Sequence, residues 1–117
     1  MDLGMPDGAY YLAGYAVECA LKACIAKETR RYEFPDKKRV DLSYSHSLRD
    51  LVKVANLEIA RNQSAGQSRE FGNNWDTVQA WSEQSRYQRH RLETARQLVT
   101  AVVDRRYGVI SWIKRYW

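Results

Sequence analysis

Glu18 and Lys22 stand four residues apart within the run Ala9–Lys27, which is otherwise apolar, rich in alanine and free of proline. On a helix that spacing brings a carboxylate and an ammonium to the same side. Two kinds of chemistry follow. In one, Glu18 and Lys22 line a polar pocket with Arg86 and Arg106 and hold a nucleotide phosphate or ribose. In the other, Glu18 forms a buried ion pair that fixes how helices meet, with Arg86 or Arg106 as a bidentate partner. The structural role is favoured, because a charge inside a fold is expensive unless it is paired.

The chain has two histidines, His46 and His90. These are the side chains suited to proton transfer near neutral pH. His46, in Ser45-His46-Ser47, reads as a helix-entry residue bonded to nearby backbone rather than as a catalyst. Cys19 and Cys24 fall on different faces of one helix and cannot bridge each other. With no histidine nearby they make no zinc site and read as small hydrophobes in a reducing compartment. A phosphate loop, a dinucleotide glycine fingerprint and a serine elbow are all absent. No cofactor and no metal are implied.

The elements that must position these residues are helical. At 117 residues the chain is one domain, long enough to bury roughly two-thirds of its unfolded surface. Residues 1–7 read as a leader, with Asp7 as N-cap of a first helix that runs to about Thr29. This helix is apolar almost all round and belongs in the middle of a bundle. Its charges argue against a membrane span, since each costs about 2.5–3.5 kcal/mol at mid-bilayer. Gly14 lowers helix propensity by about 1 kcal/mol, so packing is the reason for it. Leu12, Ala16, Cys19, Ala23 and Ala26 form a further stripe.

Residues 30–44 break the pattern at Pro35 and form a surface connection pinned by Phe34 and Tyr44. A second helix is capped by Ser47, carries Leu48, Leu51, Val52, Ala55 and Ile59, and ends in a left-handed turn at Asn56. Gln63 to Gln67 marks a turn or a frayed helix end. A third helix places Phe71, Trp75, Val78 and Trp81 or Ser82 at helical spacing, and Ser82 to Gln88 is a polar joint. The last helix keeps Leu92, Ala95, Val99, Val102, Val109, Ile113 and Tyr116 in phase, continues through Gly108, and holds Arg106 inside its apolar stripe. With no strand pattern, four main helices imply an all-α antiparallel up-and-down bundle, with room for a short extra helix.

Charge is unevenly placed. The net charge is +5, yet from Arg86 to Trp117 eight Lys or Arg stand against two acids, Glu93 and Asp104. Such a patch favours nucleic acid or other anionic partners. Trp117, beside Lys114 and Arg115, is placed to stack on a base. The chain opens without a signal-peptide pattern, so a cytoplasmic location is expected.

The run Tyr10–Ala23 closely resembles the signature helix of prokaryotic HEPN-domain proteins, the higher-eukaryote and prokaryote nucleotide-binding family. Three more landmarks follow in the family's order: Ser45-His46-Ser47-Leu48, Trp81 through Arg86-Tyr87, and Gly108-Val109-Ile110-Ser111-Trp112-Ile113. The resemblance spans roughly residues 8–117. It implies a helical bundle, frequent homodimers, and nucleotide or RNA transactions, often in toxin–antitoxin or defence roles beside a nucleotidyltransferase-type partner. Ribonucleases of that family carry an Arg, four to six residues, then a His near the last helix. Here the slots after Arg105 or Arg106 hold no histidine. Arg86 to His90 has three intervening residues, and Arg39 to His46 has six but lies at the first long connection. The expectation is therefore a nucleotide- or RNA-binding module that does not cleave or cleaves weakly. The alternatives are a metal-independent ribonuclease using His90 or His46 with Arg106 or Arg86, and a purely structural oligomerisation domain.

Overall fold

A 26-residue helix, α1 (Pro6–Arg31), is the element against which most of the others pack. The computed structural model describes residues 6–31 and 45–117, apart from the side chains of residues 29–31, 86 and 87. Of the surface connection expected at 30–44, residues 30 and 31 still belong to α1, and the rest, with Phe34 and Tyr44, lies outside the described residues. Beyond it come α2 (Leu48–Val54), α3 (Glu58–Gln67), α4 (Arg69–Gln79), a 3-10 turn (Glu83–Tyr87), α5 (Leu92–Val103) and α6 (Val109–Ile113). The described residues form an all-α bundle, and none of their helices is long and apolar enough to cross a membrane.

The core is continuous across these elements. From α1 it takes Val17, Leu21, Cys24 and Ile25, from α2 Leu51 and Val52, and from α4 Phe71, Trp75 and Val78. Leu98, Ala101 and Val102 of α5 and Val109, Trp112 and Ile113 of α6 complete it. Trp81, just past α4, lies flat over Gly14. A methyl group at that glycine would sit 2.2 Å from the indole. Close packing, as expected, accounts for Gly14.

α1 is not buried all round. Leu12, Ala16, Cys19, Ala23 and Ala26 recur at four- and three-residue steps and are exposed, Leu12 at 62%. An all-apolar helix gives no sign of which side meets the core, so that stripe could not be told from the buried one. Of the two cysteines, Cys19 is exposed and Cys24 is buried. Burial pushes the Cys24 thiol above its ordinary value.

Local chemistry sets the helix ends. Ser47 caps α2 by accepting from the Asp50 amide at 3.4 Å, and Asn56 adopts φ 59°, the expected left-handed stop. Ile59 therefore falls on α3, where it is exposed. Ser68 caps α4 through the Phe71 amide at 3.2 Å. Asp7 is not an N-cap, because α1 already begins at Pro6. Its carboxylate instead accepts from the backbone N–H of His90 and ties the start of α1 to the chain entering α5.

Two further expectations are resolved. Gln63 to Gln67 is the last turn and a half of α3, a helix end and not a turn between helices. With no fully buried residue, α3 shows no apolar rhythm. The last helix is also not continuous, because α5 ends at Val103 and α6 starts after Gly108. Asp104 turns to φ −51°, ψ 130°, and its Oδ1 accepts from the amides of Arg106 at 2.9 Å and Tyr107 at 2.7 Å. Gly108 sits so close to Asp104 that a Cβ would come within 2.3 Å of the Asp104 carbonyl oxygen. The break keeps the apolar phase, since Val109, Trp112 and Ile113 still face the core. Phase reports which side is buried, not whether the chain between is helical. The four helices expected are thus six among the described residues.

Candidate functional site

The segment 81–90 lies along α1, meeting residues 10 and 14 directly and residue 18 through the His46 ring, each one helical turn from the next. At the lower turn is Glu18, buried to 3% exposure. Its Oε1 accepts from His46 Nδ1 at 3.0 Å, and its Oε2 lies 3.6 Å from Lys22 Nζ. The other ring nitrogen of His46, Nε2, is 3.3 Å from Oε2 of Glu83 on the 3-10 turn. His46 therefore links α1, the entry to α2 and the 3-10 turn through two carboxylates. Both are acceptors, so each contact is a hydrogen bond when the facing ring nitrogen carries the proton.

His46 thus differs from its expected role. Its partners are side chains of two distant segments, not nearby backbone. Glu83 was missed at sequence level. It sits in a polar joint without periodicity, and nothing in its neighbours sets it apart.

At the upper turn, the His90 ring stacks on Tyr10 with centroids 3.8 Å apart and planes at 17°. His90 Nε2 lies 3.4 Å from the Ser85 carbonyl oxygen. Ser85 is itself buried, and its hydroxyl accepts from the Ser82 amide at 3.4 Å and meets the Tyr10 phenol. Burial raises the Tyr10 phenol above its ordinary value, and the hydrogen bond with Ser85 partly offsets this.

Arg106 does not join either group. The break between α5 and α6 lifts it out of the apolar stripe and leaves it exposed, its guanidinium 5.5 Å from the centroid of the Tyr107 ring. It forms no ion pair with Glu18. The expected pairing fails because it required an unbroken helix through residue 106. The side chain of Arg86 lies outside the described residues. Of the four residues expected to share a pocket, Glu18 and Lys22 meet, and Arg106 stands elsewhere.

Arg106 instead rims a concavity of about 170 Å³ with Arg115. Its floor holds Phe71 and Trp112, whose ring centroids are 5.3 Å apart, and Ser64 and Ser68 stand on its wall. Ser64 Oγ accepts from Trp112 Nε1 at 3.1 Å. In the sequence Arg115 stands out only as a basic neighbour of Trp117. The signal was its place one turn beyond Ser111 and Trp112.

Elsewhere in this part of the chain Arg89, Arg91, Arg96, Arg105 and Lys114 are exposed, as is Arg115, and none makes an ion pair among the described residues. Trp117 is also exposed, with Lys114 Nζ 5.9 Å from its ring centroid. Among the described residues no group of three His, Cys, Asp or Glu is placed to hold a metal ion. No family model matches the chain, and no match was found among curated proteins or solved structures.

Proposed function

We propose that this chain is a HEPN-like helical module that binds nucleotide or RNA through its C-terminal basic surface, with binding rather than cleavage as its main activity. One observation carries this: the exposed cations of residues 89–115 have no acidic partners among the described residues, and so are available to phosphates. Exposed arginines without acidic partners neutralise a polyanion and displace its counterions. Trp117 beside Lys114 adds a stacking platform at the edge of that surface. The exposed stripe of α1 is the face on which a second copy, or a nucleotidyltransferase-type partner, would pack.

The test is anisotropy of a labelled single-stranded RNA across a salt series. Affinity should fall linearly on logarithmic axes, with a slope of about 0.7 per phosphate neutralised. Salt-insensitive binding, or none, overturns the proposal.

A ribonuclease reading has one observation in its favour. Glu18 holds His46 at Nδ1, the arrangement that orients an imidazole for proton transfer. Against it, the opposite nitrogen faces Glu83 rather than open space. Incubation with RNA in the presence of chelator decides. Cleavage that disappears in His46→Ala establishes the enzyme.

A further inference from the structure

We infer that the concavity between the α3–α4 joint and α6 is a site for a phosphate monoester, with Arg106 and Arg115 as its charge-bearing walls. Three observations converge. First, the residues lining it include two arginines and no acid. Asp104, the acid of the adjoining loop, is turned inward on the Arg106 and Tyr107 amides. Glu70 of α4 is exposed and takes the Ser68 hydroxyl at 3.3 Å, outside the lining.

Second, neither guanidinium is engaged by a carboxylate among the described residues. Arg106 is braced over Tyr107, and Arg115 follows the buried Trp112. Two planar forks on one concavity, one of them braced over an aromatic ring, suit bidentate recognition of phosphoryl oxygens. Third, the space is small. About 170 Å³ falls below the roughly 300–1,000 Å³ of pockets that enclose whole drug-sized ligands. It admits a phosphoryl group with part of the attached sugar or ring, not a dinucleotide.

Charge then selects the form of phosphate. A monoester carries about −1.5 to −2 near pH 7, whereas a phosphodiester inside a strand carries a single charge. Two arginines with no acid between them match the dianion. The ligand's identity as a nucleotide rests on the proposed function; the preference for a terminal over an internal phosphate stands on the pocket. The group arrives on a free mononucleotide or at the end of an RNA strand.

The experiment compares four probes on the full chain by calorimetric titration: a nucleoside, its 5′-monophosphate, and one short RNA with either a 5′-hydroxyl or a 5′-phosphate. The monophosphate is expected to bind and the nucleoside not. The phosphorylated RNA should bind about tenfold more tightly than its hydroxyl counterpart, an advantage lost in Arg106→Gln and Arg115→Gln. Circular dichroism confirms that both variants fold.

Equal affinity for the two RNA ends with no monophosphate binding overturns the site and leaves general RNA binding standing. Monophosphate binding without RNA binding keeps the site and removes the RNA reading. End preference that survives both substitutions places the phosphate elsewhere and overturns this inference. Binding of no probe overturns both.

Discussion

The two charged regions of the molecule are built on opposite terms. Around Glu18 every described charge has a partner: a carboxylate, an ammonium and an imidazole flanked by a second carboxylate. Around Arg106 and Arg115 none does. Paired charges hold helices to one another, while unpaired ones are held out for something else. Both regions sit on an aromatic support, Trp81 over Gly14 in the first and Trp112 against Phe71 in the second. The difference therefore lies in the balance of charge, not in the packing beneath it.

Substitutions that break this contrast should sort by size. Gly14→Val drives a side chain into the Trp81 indole and should lower stability by about 3 kcal/mol, read as a reduced urea midpoint with unchanged slope. Glu18→Gln comes next. Because Lys22 and His46 are 31% and 47% exposed, the groups left behind reach water. The loss should be about 1–3 kcal/mol, below the roughly 3–5 expected when a partner stays buried. The folded variant should keep its RNA affinity; loss of RNA binding at unchanged stability would make Glu18 part of the ligand site. Arg115→Gln should change stability by less than about 0.5 kcal/mol, so a large drop in melting temperature would show that the arginine is structural after all.

The smallest effect is on pH. Amide hydrogen bonds from Tyr107 and then Arg106 hold the Asp104 carboxyl below its ordinary value of 3.8. A depressed carboxylate contributes stability that is complete above that value and lost as pH falls through the lower, folded one. Acid should therefore loosen the 104–108 turn. Loss of protection at the Arg106 and Tyr107 amides below about pH 4, absent in Asp104→Ala, would show it.

Helix class, the Asn56 stop and the need for close packing at Gly14 were legible because each follows from a local rule. The exposed side of α1 and the break at Asp104 were not. One required knowing which of two apolar stripes meets the core. The other hides behind a preserved apolar phase, and only the carboxylate of Asp104 turning on two amides gives it away. The same break decides the site. An unbroken helix places Arg106 toward the core and Glu18, while the turn delivers it to Arg115. Long-range partners such as Glu83 for His46 carry no sequence spacing at all, since they depend on how segments 46 and 83 are brought across α1.

The contrast between Cys19 and Cys24 also turns the molecule into its own reporter. One thiol lies on the outer stripe of α1 and the other in the core. A maleimide dye applied without denaturant should couple to the first and spare the second, whose raised pKa further slows attack. The coupling rate then measures how often that outer stripe stands uncovered, and following it against protein concentration tells whether another copy shields it.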